Sequence, residues 1–241
     1  MELDAQRIRA RLHQPEPAVH VFETLDSTNE ECRRRLAAGE KSCLVLAQRQ
    51  TGGRGRSGHS FFSPEGGLYL SLALPLPPDA VGLTCRAAVV TARAVETVTG
   101  CICGIKWVND LYYQGRKVCG ILAETVPDGV IIGVGINLAP CPVPPELAEV
   151  VGFLDCGDQR EALAAEIAAG LLAADPDDRS FMEEYRRRSV VIGRELECFT
   201  GSRSFTARAL GIDDEGGLVV LSSHGRDTLR FGEVKLKGDF R

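Results

Sequence analysis

The chain has 241 residues, of which 44% are hydrophobic and 25% charged, and its formal net charge is −5. This composition predicts a soluble globular protein with a main domain and a small appendage, and its acidic balance argues against a general nucleic-acid binder. No apolar run approaches the roughly 18 residues that a membrane-spanning helix needs. The nine cysteines include no C-x-x-C pair, so they predict a reducing, cytoplasmic setting rather than a zinc site or a disulfide framework.

Patterning in the first 40 residues predicts a helix, a strand and a second helix. The first helix falls within residues 1–12, the strand at residues 19–23, and the second helix begins at residues 26–29 and ends before Gly39. Ser, Thr, Asp and Asn are the preferred residues at the start of a helix. A helix-turn-helix DNA-binding domain needs several helices and does not fit before Val19, so we expect no DNA partner.

The central stretch alternates apolar strands with turns and one long helix. Strands are predicted at residues 42–48, 67–74, 105–107, 111–113, 117–124 and 130–138, and a buried helix at residues 83–98. The strands at 111–113 and 117–124 are joined by a short Gln-Gly-Arg turn, which is typical of a β-hairpin. The strand at 130–138 is almost wholly apolar, so we expect both of its faces to be covered.

The chain changes character after two further predicted helices, at residues 160–172 and 180–188. Short strands with hairpin spacing predict a small SH3-like β-barrel; they fall at residues 195–199, 204–212, 217–221 and 227–231. We place the boundary near Ser189, between a main domain of residues 1–189 and a C-terminal domain of residues 190–241. The predicted fold class is therefore α/β (α+β), a mixed β-sheet backed by helices with a small C-terminal barrel.

Residues 50–59, which we call the glycine–arginine loop, carry the clearest sign of a binding site. The glycines permit tight turns and favour disorder until a ligand binds. Arg54 and Arg56 add two guanidinium groups, which match carboxylate and phosphate oxygens in two parallel hydrogen bonds. The loop therefore favours a phosphate-bearing ligand, with an RGG-like nucleic-acid patch or a plain solvated loop as the alternatives.

Three further stretches suit either structure or chemistry. Residues 27–29, Ser-Thr-Asn, are either a helix cap or three hydrogen-bonding groups presented to a polar ligand. Within residues 106–110, Trp107 suits the core and Asn109 offers an amide at the end of a strand. Lys117 begins a mostly apolar strand, where it is either a surface lysine or a fixed positive charge that attracts a carboxylate and a phosphate.

Together these motifs resemble those of the catalytic domain of biotin–protein ligases. The matching residues are 27–29, 50, 53–58, 62–64, 67–71, 106–111, 117–122 and 133–137. They occur in the family's order between about residues 19 and 138, and the small β tail also fits. Any one of these motifs is weak by itself, whereas the whole set in this order is specific.

The resemblance implies a class II synthetase-like catalytic domain that joins biotin to a protein in two half-reactions. The biotin carboxylate attacks the α-phosphate of ATP, with Mg²⁺, and gives biotinyl-5′-AMP and pyrophosphate. A lysine of a biotin carboxyl carrier protein domain then attacks the mixed anhydride and releases AMP. Cationic donors at the reacting centre and a loop that closes over it suit this chemistry.

The resemblance also implies roles for individual residues. Those expected to bind biotin are Ser27, Thr28, Asn29, Gln50, Gly53, Arg54, Gly55, Arg56, Lys117, Gly120, Ile121 and Gly133. Those expected to face ATP or its metal are Arg56, His59, Phe61, Asn109, Lys117 and Asn137. Catalysis is expected to depend on Lys117, Arg54, Arg56 and Asp110, with Lys117 at the carboxylate–phosphate junction and Asp110 orienting a nearby cation. The resemblance implies no protein-held structural metal.

Three positions depart from the residues usual in the family. Val108 stands where proline is common, Phe61 where tryptophan often closes over the intermediate, and His59 where a further basic residue is common. Phe61 still stacks but lacks an indole N–H. His59 makes a phosphate contact pH-sensitive, because histidine titrates at about pH 6.5.

Other functions stay open for the same fold. A lipoate ligase or octanoyl transferase would share the fold and the lysine, although residues 54–58 and 106–110 favour biotin. A non-catalytic protein that binds biotin or its adenylate would predict a DNA-binding segment or a missing lysine. A homodimer formed through the central sheet is a further expectation from the resemblance.

Overall fold

The computed structural model describes residues 2–12, 17–76, 82–175 and 177–237, and for Ser57 the backbone alone. The helices are α1 (Ala5–Leu12), α2 (Thr28–Ala37), α3 (Leu83–Thr99), α4 (Arg160–Leu172) and α5 (Phe181–Arg188). The strands of the main domain are β1 (Ala18–Leu25), β2 (Cys43–Gln50), β3 (Leu68–Leu74), β4 (Gly104–Lys106), β5 (Asp110–Tyr113), β6 (Arg116–Val126) and β7 (Gly129–Ile136). Every helix and strand predicted before Ser189 has a counterpart here.

These strands form a seven-stranded sheet in the order β1-β2-β3-β7-β6-β5-β4. The β1–β2 pair is parallel and the other neighbours are antiparallel, which confirms the predicted mixed sheet. The β5–β6 hairpin turns at Gln114 and Gly115, whose φ angles are +49° and +78°. Positive φ at both turn residues is what a two-residue hairpin turn requires.

Strand β7 lies inside the sheet and is covered on both faces, as its apolar sequence predicts. On one face, Ile131 packs with Leu36 of α2. On the other face, Ile132 belongs to the larger core that α3 and α4 complete. The α2 face of β7 continues to Gly135, which lies against Phe61 just after the glycine–arginine loop. The sheet therefore presents backbone, rather than bulky side chains, at the end where the binding motifs meet.

The C-terminal part is a five-stranded antiparallel sheet in the order β11-β10-β9-β8-β12. Its strands are β8 (Glu195–Thr200), β9 (Arg203–Ile212), β10 (Leu218–Ser222), β11 (Gly225–Leu229) and β12 (Glu233–Leu236). It is compatible with the small β domain predicted from the sequence, although β12 was not predicted because it is short and carries two charged residues. Trp107 is buried, as predicted, and its indole N–H donates to Gly216 O at 2.8 Å, so the two parts share one core. The boundary near Ser189 stays a prediction, and residues 238–241 of the predicted domain lie outside the described residues.

The cysteines are free thiols, and many are core residues. Cys43, Cys119 and Cys198 are fully buried, which confirms their prediction as small buried hydrophobes. Burial also raises the pKa of the Cys119 thiol well above its ordinary value. Across the described ranges, we find no helix that is both long and apolar enough to cross a membrane.

An ion-pair cluster ties α5 to α3. The Glu184 carboxylate accepts hydrogen bonds from Arg93 Nε and Arg188 Nε, each at 2.7 Å, and Arg188 also reaches Glu96. Burial raises the pKa of Glu184, but the two arginines outweigh burial and hold that pKa below its ordinary value of 4.5. Because the folded state has the lower pKa, the carboxylate stabilises the fold above about pH 4.5, and this contribution is lost as the pH falls through the folded-state pKa.

We expect Glu184→Gln to lower the free energy of unfolding by roughly 2 kcal/mol at pH 7. This is less than the loss of a fully buried partner, because Arg93 is 58% exposed. Urea unfolding at pH 7 and at about pH 3.5 measures the effect, which should shrink at the lower pH. Glu183→Gln, on the exposed side of the same helix, is the matched control. An equal loss at both pH values would contradict the ion-pair explanation.

Candidate active site

One cleft brings together most of the residues that the sequence predicted for the site. It opens where the start of α2, the glycine–arginine loop, β6 and β7 meet, and the C-terminal sheet borders it at Gly232 and Glu233. The predicted residues that line it are Ser27, Thr28, Asn29, Gln50, Arg54, Gly55, Arg56, His59, Phe61, Asn109, Asp110, Lys117, Gly120, Ile121 and Gly133. Gly53 and Asn137 are not among its lining residues.

The wall of the cleft at the start of α2 is a hydrogen-bonded polar cluster, formed by Thr28, Asn29, Gln50 and Ser71. Gln50 Oε1 accepts from Thr28 N at 2.8 Å and from Thr28 Oγ1 at 3.1 Å. Ser71 Oγ lies 2.7 Å from Thr28 Oγ1 and 2.6 Å from Asn29 Oδ1. These groups are buried or nearly so, and such a network fixes the direction of each donor and acceptor. The cluster is therefore already arranged to form hydrogen bonds with a polar ligand.

Ser27 directly precedes α2, at the N-cap position, but its side chain does not cap the helix. Ser27 is only 2% exposed, and within the described residues its hydroxyl makes no capping hydrogen bond. The preferred capping role of serine is thus not used at this helix. Because Ser27 lines the cleft, its hydroxyl is available to a ligand.

The sheet contributes a floor of three glycines, Gly120, Gly133 and Gly135, which we call the glycine floor. A Cβ atom on Gly133 would lie 2.1 Å from Asn29 Oδ1, and one on Gly135 would lie 2.4 Å from the Phe61 ring. Only glycine allows such an approach. The space above the floor is therefore a thin slot with the Phe61 ring over part of it.

The glycine–arginine loop has a defined hydrogen-bonded shape. Gly55 N donates to His59 O at 2.7 Å, and Phe61 N donates to Gly53 O at 2.9 Å. Gly58 has a φ of +79°, which a residue with a side chain rarely adopts. The loop thus folds back on itself at the mouth of the cleft.

The two loop arginines have different partners. The Arg54 guanidinium forms an ion pair with Glu30, and its second nitrogen lies 3.5 Å from Glu124 Oε1. Glu124 also accepts from Asn29 Nδ2 at 2.8 Å, so Arg54 is linked to the polar cluster. Arg56, by contrast, reaches the Asn109 amide oxygen at 3.5 Å. Arg54 is therefore already neutralised by carboxylates, whereas Arg56 is bonded to a neutral group.

Lys117 and Asp110 form the charged centre of the cleft. Lys117 Nζ lies 2.8 Å from Asp110 Oδ1, and the side chains are only 25% and 17% exposed. The same nitrogen lies 5.8 Å from the centre of the Phe61 ring, within reach of a cation–π contact. Lys117 thus stands beside the glycine floor, as a fixed charge rather than a surface lysine.

Two of the predicted site residues, Gly53 and Asn137, do not line the cleft but contact residues that form the site. Gly53 is buried next to Ser63, where a Cβ would lie 2.5 Å from the Ser63 hydroxyl. Asn137 donates its amide to Lys117 O at 3.4 Å. The ligand contacts expected of Gly53 and Asn137 stay predictions.

Sequence reasoning assigned no role to several residues of the site. Ser71 carries a hydroxyl group in an otherwise apolar strand, and this exception in the pattern could have identified it as a site residue. Lys106 lies within a recognised motif and lines the cleft, as does Glu233 of the unpredicted strand β12. Glu124 ends the strand predicted at residues 117–124, and its hydrogen bond to Asn29 depends on how β6 packs beside α2.

Comparison with known proteins agrees with this geometry. The profile of the biotin/lipoate A/B protein ligase family matches residues 21–137. The biotin--[acetyl-CoA-carboxylase] ligase of Paracoccus denitrificans is 31% identical, over 88% of this chain and 98% of that protein. The bifunctional ligase/repressor BirA of Escherichia coli is 30% identical, over 91% of this chain and 74% of that protein.

The fold agrees as well. The structure of biotin protein ligase from Aquifex aeolicus in complex with biotin and ATP is similar, with a TM-score of 0.78 and 28% identity. The similarity covers 91% of this chain and 98% of the Aquifex chain. From its sequence, its fold and the motifs that meet in one cleft, the chain belongs to the biotin–protein ligase family.

Proposed function

We propose that this chain activates biotin with ATP to biotinyl-5′-AMP and transfers the biotinyl group to a lysine of a biotin carboxyl carrier protein domain. The observation that carries the proposal is the placement of Lys117 beside the glycine floor, in the same cleft as the loop arginines and the polar cluster. The Aquifex aeolicus relative, whose structure contains biotin and ATP, supports the same pair of ligands.

The biotin head group fits the closed end of the cleft. Its ureido group has a carbonyl acceptor and two N–H donors, which require fixed partners when buried. Ser27, Thr28 and Gln50 offer hydroxyl and amide groups there, held by the polar cluster. The flat bicyclic ring suits the thin slot above the glycine floor, with Ile121 on its wall. The carboxylate then points toward Lys117.

The adenylation step joins two anions, so cations must hold them together. A biotin carboxylate oxygen forms a bond to the α-phosphorus, the bond from that phosphorus to the bridging oxygen breaks, and its electron pair leaves with pyrophosphate. Lys117 and Arg56 would neutralise the carboxylate and the α-phosphate at the point of attack. Asp110 holds the Lys117 ammonium at 2.8 Å and thereby orients it.

Mg²⁺ would arrive bound to the ATP phosphates rather than in a protein cage. Among the described residues, no group of three or more His, Cys, Asp or Glu side chains could hold a metal ion. Magnesium usually takes one or two protein oxygens and completes its shell with phosphates and water. Asp110 and Asn109 offer such oxygens on the cleft wall. When bound, the ion would reduce the repulsion between the phosphates and the attacking carboxylate.

The second step needs a neutral amine from the carrier. Its nitrogen forms a bond to the biotinyl carbonyl carbon, the carbon–oxygen bond to AMP breaks and its electron pair leaves with AMP, and the amine gives one proton to water. Asp110 is a cleft carboxylate that lies beside the reacting centre, and we propose that it orients this lysine. All nine cysteines are free thiols, which suits work on a carrier in the cytoplasm. No DNA partner is proposed, and a homodimer stays a prediction.

The direct test is transfer to a carrier. The full chain is incubated with MgATP, biotin and a purified biotin carboxyl carrier protein domain, and the carrier is weighed by mass spectrometry. We expect the mass of one biotinyl group to be added, and no addition when the acceptor lysine is replaced by arginine. Addition of lipoate or octanoate instead of biotin would contradict the biotin assignment.

A further inference from the structure

We propose that Lys106 binds the β- and γ-phosphates of ATP, and hence the pyrophosphate leaving group. The inference rests on the proposed function and names the part of the substrate that this residue meets. Lys106 is the last residue of β4 and faces the cleft. Neither its sequence context nor its motif gave it a role.

The strand register places Lys106 beside the charged centre. It is paired across β4 and β5 with Asp110, and its Nζ lies 5.6 Å from the centre of the Tyr112 ring. Tyr112 is paired in turn with Lys117 on β6. Directly paired residues of neighbouring strands point to the same face of a sheet, and both Lys106 and Asp110 line the cleft. Lys106 and Lys117 thus approach the same space from either side of Asp110.

The charge inventory of the cleft leaves few cations for a triphosphate. Arg54 is held by Glu30 and Glu124, and Lys117 is held by Asp110. In the part of the chain that the structure describes, Lys106 forms no ion pair within 4.0 Å, and its ammonium group lies over the Tyr112 ring.

His59 does not supply the missing charge. Its Nε2 lies 4.0 Å from Glu233 Oε2, so any charge on its ring already faces a carboxylate. Arg56 is bonded to the neutral amide of Asn109. Among the described residues that line the cleft, Arg56 and Lys106 are therefore the lysine and arginine side chains with no carboxylate partner within 4.0 Å.

The burial of Lys106 points the same way. Burial lowers the pKa of its ammonium group most, Asp110 and Glu233 raise that pKa by less, and Lys117 and Lys235 lower it by less again. A downward shift means that the charged form lacks sufficient counter-charge in the free protein. Phosphate oxygens at this place would supply a counter-charge to the buried ammonium group.

The positions of the two lysines separate their tasks. The Lys117 side chain lies against the glycine floor, where a Cβ on Gly120 would lie 3.4 Å from its Cε. Lys106 lies on the Tyr112 side of Asp110. It interacts electrostatically with Glu233, where the C-terminal sheet borders the cleft. As the α-phosphorus–oxygen bond breaks, the electron pair goes to pyrophosphate. Lys106 keeps its proton and neutralises that growing charge.

The test is pyrophosphate–ATP exchange with Lys106→Met, which keeps the apolar stem and removes the charge. We expect the KM for pyrophosphate to rise about 10-fold to 100-fold, as for a lost charge-assisted hydrogen bond, and the KM for biotin to change less than about twofold. Lys41→Met is the control for loss of one lysine charge, because Lys41 is exposed and does not line the cleft.

A binding measurement covers the case in which Lys106→Met folds poorly. Calorimetry with Lys106→Gln should show weaker binding of ATP and unchanged binding of AMP, since AMP lacks the β- and γ-phosphates. An unchanged KM for pyrophosphate, or equal losses for ATP and AMP, would overturn the proposal. If the wild-type chain itself shows no biotin-dependent exchange, the proposed function fails instead, and the two failures are distinct.

Discussion

Lys117→Ala is expected to slow the formation of biotinyl-5′-AMP by about 10²–10³-fold. The lysine ammonium is fixed by Asp110 at 2.8 Å beside the glycine floor. It therefore meets the carboxylate and the α-phosphate where repulsion between them is greatest. A charge placed in advance at that point acts mainly on the transition state, so the rate should fall more than the affinity for biotin.

Single-turnover formation of biotinyl-5′-AMP, with biotin affinity measured separately by calorimetry, separates these effects. The backbone of Lys117 is held by Val150 O at 2.9 Å and by Gly152 N at 2.8 Å, so the variant should fold. Lys41→Ala, at an exposed lysine far along the chain, is the control for loss of one charge. A Lys117→Ala protein that forms the adenylate at the wild-type rate would remove Lys117 from the chemistry.

Gly133→Ala is expected to weaken biotin binding by about 10-fold to 100-fold. The added methyl group would lie 2.1 Å from Asn29 Oδ1. Asn29 cannot move freely, because Glu124 holds its amide at 2.8 Å and Ser71 lies 2.6 Å from its carbonyl oxygen. Overpacking at such a place costs about 1–3 kcal/mol, and each 1.4 kcal/mol is about a factor of ten in affinity.

The measurement is the dissociation constant of biotin by calorimetry, together with the KM for ATP, which should change little. Gly211→Ala is the matched control, because a Cβ at Gly211 would meet no atom within 4 Å. Both variants should unfold at similar temperatures if the effect lies in the slot. Unchanged biotin affinity in Gly133→Ala would contradict the placement of the bicyclic ring over the glycine floor.

The fold followed from local patterns because most of its elements are long or strongly apolar. The continuous apolar run of β7 predicted a strand covered on both faces, and every residue of β7 except Gly135 is buried. The helix at α3 ends at Gly100, whose φ is +74°, as the sequence predicts. Strand β12 was not predicted, because it has only four residues, in which charged and apolar side chains alternate. Such a short pattern is equally typical of a loop.

The candidate site was predictable where its residues lie within motifs and not where packing brings distant residues together. Ser27 looked like a helix cap, and only the geometry shows that its side chain makes no capping bond in the described structure. The two loop arginines are equivalent in the sequence, yet Arg54 pairs with Glu30 while Arg56 does not. That difference depends on how α2 packs beside the loop, which no local pattern contains. Lys106 is a similar case, since only the three-dimensional structure shows that it forms no ion pair within 4.0 Å among the described residues.

The first measurement is biotin-dependent exchange of labelled pyrophosphate into ATP by the purified chain with Mg²⁺. It isolates the first half-reaction and needs no knowledge of the carrier protein. The account predicts exchange that requires biotin and does not occur with lipoate or octanoate. Exchange driven by lipoate would contradict the assignment of biotin as the ligand but would agree with the adenylation mechanism. A folded protein that shows no exchange with any of the three acids would contradict the central claim that this cleft makes an acyl-adenylate.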